Sequence, residues 1–344
     1  MSGTVLVSGA SGFIALHIVS ELLKQNYKVI GTVRSHEKKE KLRRQFQHNP
    51  NLFLEIVPDI SQSDAFESVF KKHGREIRYV LHTSSPFYYD TTEYEKDLLI
   101  PALEGTKNML NSIKRHAADT VERVVVTSSC TALITLAKAS DPNVVFTEES
   151  WNEATWDNCQ IDGVNAYFAS KKFAEVAAWD FVKENAGHIK FKLTTVNPSL
   201  VFGPQLFDED VREHLNTSCE IINDLIHTPV DATLADFHSI CTDVRDVAKA
   251  HMYAFQKENT VGKRLVVTTA KFGNQDILDI LNKDFPQLNG VIPLGKPGTG
   301  DQVTNSGATT DNSVTRKILG FEFKSLCETV HDTAAQILKK ENRL

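Results

Sequence analysis

Tyr167 and Lys171 stand in the spacing Tyr-x-x-x-Lys within Tyr167-Phe168-Ala169-Ser170-Lys171. On a helix, positions i and i+4 share a face, so the ammonium lies beside the phenol. A free phenol ionises near pH 10, too high for a proton shuttle at neutral pH. A neighbouring cation stabilises the phenolate, and lowering the pKa by ~3 units takes ~4 kcal/mol of differential stabilisation. Such a pair arises often by chance on helices. Its meaning comes from Ser128-Ser129, which follows the apolar run Arg123 to Thr127, with Ser129 standing 38 residues before Tyr167. Ligands bind at the carboxyl ends of parallel strands, and a hydroxyl placed there polarises a substrate carbonyl. A proton donor, a cation and a carbonyl-polarising hydroxyl together predict carbonyl chemistry.

A second motif predicts the hydride source. The first apolar run leads into Gly9-Ala10-Ser11-Gly12-Phe13-Ile14-Ala15, a G-x-x-G-x-x-A turn between a strand and a helix. Its glycines permit a tight turn and close approach of a pyrophosphate. The helix N-terminus offers free N–H groups and a positive dipole end, and Ala15 permits close helix–strand packing. NAD sites place an acid after the second strand to hold the ribose 2′-hydroxyl. This chain has Gly31-Thr32-Val33-Arg34-Ser35 instead. Arg34 is placed to pair with a 2′-phosphate, and Lys38, one turn further, either joins it or lies on a solvated helix face. Asp59-Ile60, after the third strand, either covers an adenine or forms a plain turn after Pro58.

These groups need a scaffold. Thr4 to Val7, Tyr27 to Val33, Leu52 to Val57, Tyr79 to His82, Arg123 to Thr127 and Phe191 to Val196 read as short buried strands. Helical patterns lie among them at Phe13 to Gln25, Ala65 to Lys72, Asp97 to His116 and Ala166 to Glu184. This alternation predicts right-handed βαβ units in an α/β fold, a Rossmann-type doubly wound parallel sheet. Beyond Pro198 the rhythm changes. Glu209 to Leu225, Val244 to Phe255, Gln275 to Lys283 and Ser325 to Lys339 read as helices, and Arg264 to Val267 as a strand. We expect residues 1–200 to hold the coenzyme and residues 201–344 to form a smaller mixed C-terminal substrate-binding domain. Segments near 240–270 are expected to return to the first domain.

The 344 residues carry 38 basic and 44 acidic side chains, a formal charge of −6. That balance disfavours nucleic acid or an anionic membrane as partner. The uncharged stretch Met1 to Ser20 is broken by Ser8, Gly9, Ser11, Gly12 and His17 and lacks a basic flank, so neither a membrane span nor a secretory signal is expected. Five widely spaced cysteines without a CxxC pair fit a reducing compartment, and a cytoplasmic location is expected. No histidine spacing predicts a metal. The helix surfaces mark no dimer face, leaving monomer and homodimer open.

With these residues in view, the chain resembles the extended short-chain dehydrogenase/reductase family. It is most similar to the dihydroflavonol-reductase-like branch, among the fungal NADPH-dependent methylglyoxal/3-methylbutanal reductases and related yeast ketoreductases. The carriers are Val7 to Ile14, Val57-Pro58-Asp59-Ile60, His82-Thr83-Ser84-Ser85-Pro86-Phe87, Asp97 to Ala102, Tyr167 to Lys171, Val196-Asn197-Pro198 and Asp243 to Ala248. The resemblance implies Ser129, Tyr167 and Lys171 as the catalytic triad. It implies that NADPH/NADP+ is held by Gly9, Ala10, Ser11, Gly12, Phe13, Ile14, Arg34, Lys38, Asp59 and Ile60. Pro198, Val201 and Ser218 would then lie near the nicotinamide and its ribose, whose hydroxyls Lys171 would also hold. The small-molecule carbonyl substrate would meet Ser85, Phe87, Cys130, Ile134, Val164 and Leu200. Departures from the branch near this pocket are Cys130 in place of an aromatic, Ser84 in place of alanine, and Ser239-Ile240-Cys241-Thr242 ahead of Asp243.

Two rival functions share the fold. A sugar-nucleotide epimerase or dehydratase retains its coenzyme through the cycle, and an acid after the second strand would favour it. A non-catalytic dinucleotide sensor would dispense with the Tyr/Lys pair.

Overall fold

Short Val-rich runs separated by amphipathic stretches set the architecture. The computed structural model describes residues 3–85, 91–300 and 306–344. Strands and helices first alternate as β1 Thr4–Ser8, α1 Phe13–Lys24, β2 Lys28–Val33, α2 His36–Gln45, β3 Leu52–Ile56, α3 Glu67–His73, β4 Ile77–His82, α4 Ile100–His116 and β5 Arg123–Thr127. The short β6 Val145–Phe146, α5 Gly163–Glu184 and β7 Lys192–Pro198 follow. Then come β8 Leu200–Phe202, α6 Thr217–His227, β9 His238–Asp243, α7 Val244–Gln256, β10 Arg264–Val267, β11 Ala270–Gly273 and α8 Asn274–Asp284. The last elements are β12 Thr309–Thr310, α9 Ser313–Leu319 and α10 Leu326–Lys340.

Among the described residues, seven strands form one sheet in the order β10-β7-β5-β4-β1-β2-β3, with every pairing parallel. Successive side chains on a strand leave on opposite faces. Val5, Val7, Leu81 and Val125 therefore pack under α1 and α7 with Ile18, Leu22, Val244 and Val247. Leu6, Val80, Val124 and Val126 pack on the other face, with Phe70 of α3, Met109 and Ile113 of α4 and Ala178 of α5. Burial on both faces accounts for the unbroken apolar strands, each large side chain adding roughly 1.5–3 kcal/mol. Strand order reverses beside β1, so the crevice above the carboxyl ends of β1 and β4 is the place for a ligand.

A smaller mixed sheet, β11-β9-β8, pairs β8 with β9 in parallel and β9 with β11 antiparallel. With α6, α8 and α10 it buries Phe202, Ile222, Phe272, Ile277, Leu281, Val330 and Ile337 in a core of its own. One expectation needs correction. The helix expected from Glu209 begins only at Thr217, preceded by an isolated 3-10 turn at Asp208–Asp210. Asp210 is drawn off to α2, where it accepts hydrogen bonds from Lys41 and from Gln45 at 2.8 Å, while Glu220 takes the Leu215 N–H at 2.5 Å. The run Ser239 to Thr242 is the middle of β9. Among the described residues no helix is long and apolar enough to cross a membrane.

Candidate active site

The helix α5 opens at Asp162, whose carboxylate accepts the Asn165 N–H at 2.8 Å. Its i, i+4, i+8 stripe carries Tyr167, Lys171 and Glu175, while small residues such as Ala166, Ala169 and Ala178 are buried. Tyr167 and Lys171 line a cavity of about 1030 Å³. The Lys171 ammonium lies 5.4 Å from the centre of the Tyr167 ring. Lys171 is only 8% exposed, and burial pulls its pKa from 10.5 down to about 8. Fully buried His82 lies close by. Burial, and then the Lys171 charge, lower its pKa to about 4. His82 is thus neutral at pH 7 and shares a 2.9 Å hydrogen bond between its Nδ1 and Ser8 Oγ.

The two serines that the sequence leaves together are separated by their partners. Ser128 Oγ donates to Glu175 Oε2 at 2.6 Å. Ser129 Oγ accepts the Thr131 N–H at 3.1 Å and donates to the Pro198 carbonyl only at a long 3.5 Å. Ser129 caps the turn Cys130–Ala132, which fixes its oxygen while its hydrogen remains weakly committed.

Glu175 has no place in the sequence reading, yet it joins α5 to three strand ends. Fully buried, it also accepts hydrogen bonds from Thr195 Oγ1 at 3.0 Å, Asn197 Nδ2 at 2.7 Å and Arg264 Nε at 2.6 Å. Asn197 donates to the Ser129 carbonyl at 3.2 Å as well. Arg264 is held over the Trp151 ring at 3.8 Å. Every strong acceptor position of the buried carboxylate is occupied, as a charge in this setting requires. The signal available in the sequence was its place four residues after Lys171.

At the amino-terminal end of the cleft, Gly9 has φ +65° and a Cβ there would meet Ser84 Cβ at 2.9 Å, so glycine is required twice over. A Cβ on Gly31 would press on Ala10 at 2.8 Å. Ala10 N–H donates to the Thr32 carbonyl at 2.8 Å and Gly12 N–H to Gly9 at 2.9 Å, closing the turn that carries Ser11. α1 follows Gly12 with no side-chain cap and no acid in its first turn. Its leading N–H groups and dipole are left for an anion. Arg34 is exposed where β2 ends, and Ser35 caps α2 by accepting the Lys38 N–H at 3.2 Å. Lys38 has a lowered pKa, from burial first and then from the charges of Lys41, Arg34 and Arg212. An uncapped helix start and an excess of cations fit a dinucleotide bearing an extra phosphate.

Asp59 is exposed, and its two oxygens accept from Ser61 N–H at 2.9 Å, Ser61 Oγ at 2.7 Å and Gln62 Nε2 at 2.9 Å. These bonds hold its carboxyl below the ordinary range. The segment forms a turn after Pro58, and a turn there is compatible with a place beside an adenine. Ile60 packs against Gly105 of α4, and its carbonyl accepts from Asn108 Nδ2 at 3.0 Å.

The remaining candidates divide simply. Gly12, Phe13, Ile14, Pro198, Val201 and Ser218 line the same cavity as Ser129, Tyr167 and Lys171. So do Ser85, Cys130, Ile134, Val164 and Leu200, together with Ser239 and Ile240 from β9. Gly9, Ala10, Ser11, Arg34, Lys38, Asp59 and Ile60 do not line it; in the chain they follow β1, β2 and β3. Phe87 lies outside the described residues. Cys130 is 2% exposed, its thiol donates to the Asn197 carbonyl at 3.2 Å, and burial drives its pKa upward. It serves as a small wall residue without thiolate character.

Comparison with known proteins gives the chain's relatives. A profile described as the NAD dependent epimerase/dehydratase family matches residues 5–268. The chain is 82% identical, over 344 residues and the whole of both chains, to the Saccharomyces cerevisiae protein described as "Putative uncharacterized oxidoreductase YDR541C". It is 58% identical over 341 residues to the NADPH-dependent methylglyoxal reductase GRE2 of Saccharomyces cerevisiae, spanning 99% of this chain and 100% of the relative. The crystal structure of yeast methylglyoxal/isovaleraldehyde reductase Gre2 complexed with NADPH superimposes with a TM-score of 0.97 at 57% identity, covering 99% of this chain and 100% of that one.

Proposed function

The chain belongs to the NAD dependent epimerase/dehydratase family, and from that footing we propose that it is an NADPH-dependent carbonyl reductase, an oxidoreductase that converts aldehydes, ketones, diketones or keto esters into alcohols. The observation that carries this reading is the convergence of Tyr167, Lys171 and Ser129 on one cavity that also reaches the uncapped start of α1.

Gly9 to Ile14 and the α1 N-terminus would hold the pyrophosphate, and Arg34 with Lys38 the 2′-phosphate. Bound NADPH supplies the hydride. The chain's own residues handle the proton and the charge. Tyr167 donates its phenolic proton to the substrate oxygen as negative charge builds there. Lys171 offsets the resulting phenolate from a buried position, where a charge acts more strongly than in water. Ser129 donates its hydroxyl hydrogen to the same oxygen, while the Thr131 N–H keeps the serine oxygen in place. Cys130, Ile134, Leu200 and Val201 form an apolar wall beside these groups. In this reading residues 1–200, joined by α7 and β10, form the coenzyme half, and the remainder shapes the substrate end.

The test is NADPH consumption with methylglyoxal, a branched aliphatic aldehyde, an α-diketone, an aryl ketone and a β-keto ester, each repeated with NADH. The reading expects turnover with at least one class and preference for NADPH. Absence of turnover with all five, or redox-neutral conversion of a sugar nucleotide, would contradict it.

A further inference from the structure

We propose that Arg212, carried on the chain between β8 and α6, is a third anchor for the 2′-phosphate of the coenzyme. With it, NADPH is gripped at the end of β2 from both sides of the cleft while NADH is gripped from one. This rests on the NADPH reading above and adds a residue that no motif marks.

Three observations support it. The first is the delivery of the segment. Phe207 packs edge-on against Phe46, which follows α2, with ring centres 5.2 Å apart. Asp210 accepts hydrogen bonds from Lys41 and Gln45 of α2. On its other side the segment is tied to α10, where Gln336 takes the Gln205 N–H at 2.7 Å and donates to Asp208 at 2.9 Å. Residues 205–210 are thus fastened between α2 and α10, and Arg212 follows two residues after Asp210.

The second is the distribution of charge. Lys41 is neutralised by Asp210, and Arg43 is paired with Glu40 at 3.5 Å. Among the described residues no ion pair engages the side chains of Arg34, Lys38 or Arg212. Asp210 pairs with Lys41, while Arg34 and Arg212 both act on Lys38, against which Glu37 sets one acid. Three unneutralised cations on two separate segments call for an anion between them. A phosphate dianion satisfies that demand, and arginine meets it through a planar pair of N–H donors. The third is the lowered Lys38 pKa, to which Arg212 contributes across the gap.

The placement also links the phosphate to the reaction chamber. α6 starts at Thr217, and Thr217, Ser218 and Ile221 line the cavity. An anion held by Arg212 therefore steadies the stretch of chain that leads into this wall.

The test compares R212A, R212K and R34A in the full chain, with calorimetric titration of NADP+ and NAD+. Competition by adenosine 2′-monophosphate and adenosine 5′-monophosphate supplies a second readout. Arg212 is exposed, so R212A should fold normally. It should weaken NADP+ about five- to tenfold while leaving NAD+ within about twofold. R212K should recover part of the loss, and R212A should weaken only the 2′-monophosphate. If R34A weakens NADP+ and R212A does not, the proposal fails and the NADPH reading stands. Equal weakening of NADP+ and NAD+ by R212A overturns it as well. If neither R34A nor R212A alters the NADP+/NAD+ ratio, the NADPH reading falls along with it.

Discussion

Replacing Lys171 with methionine should stabilise the protein while nearly abolishing its activity. Lys171 is charged in the unfolded chain up to about pH 10.5, whereas in the folded protein burial lowers its pKa to about 8. The folded state binds its proton more weakly, so at neutral pH the buried charge works against folding. A displacement of this size amounts to about 3 kcal/mol. The penalty is fully present below pH 8 and fades between pH 8 and 10.5, because there the unfolded chain still binds the proton that the folded chain has released. Methionine has a similar length, no charge and an adaptable shape, so it fills the site without a cavity. Coenzyme-free K171M should therefore be about 2–3 kcal/mol more stable than the parent in urea unfolding at pH 7. The advantage should shrink as pH rises toward 10.5. The catalytic loss follows from the same pair. Across 5.4 Å between ammonium and ring centre, an effective dielectric near 20 gives about 3 kcal/mol of phenolate stabilisation, or roughly a hundredfold in turnover at saturating coenzyme. A variant no more stable than the parent at pH 7, or one that keeps its turnover, would refute the reasoning.

Other substitutions probe the rest of the site. Arg34→Glu places a carboxylate where a 2′-phosphate would sit; the ratio of kcat/KM for NADPH to that for NADH should fall by at least about tenfold, and an unchanged ratio would remove Arg34 from the site. Glu175→Gln leaves Arg264 buried beside a neutral partner, and thermal or urea unfolding should show a loss of roughly 3–5 kcal/mol; a loss below about 1 kcal/mol would mean that the network around Glu175 does not hold the strand ends.

The sheet was legible because its strands are short, apolar and two-sided, and because β1, β3 and β4 are each followed by a helix whose period is plain. β1, β2 and β5 begin and end within about a residue of their sequence reading for that reason. β8, β9 and β11 escaped notice. β9 reads His-Ser-Ile-Cys-Thr-Asp, with no clear alternation, and its partners are supplied by chain on both sides of it. The start of α6 was misplaced because helical periodicity cannot show that Asp210 is claimed by Lys41 and Gln45 of α2, more than 160 positions away. In the site itself, residue type and spacing brought out Tyr167, Lys171 and the glycine turn. They did not separate Ser128 from Ser129, since that distinction depends on Glu175. Glu175 in turn acquires its meaning from Thr195, Asn197 and Arg264, which reach it only after the sheet has formed.

The central claim is that Tyr167 delivers the proton that completes carbonyl reduction. Tyr167→Phe removes one oxygen from a ring that otherwise keeps its place on α5. Steady-state turnover measured beside NADPH titration tests that claim most directly. The account predicts a fall in kcat of at least about a thousandfold with NADPH affinity held within a few-fold. A variant that still turns over near the parent rate would contradict it.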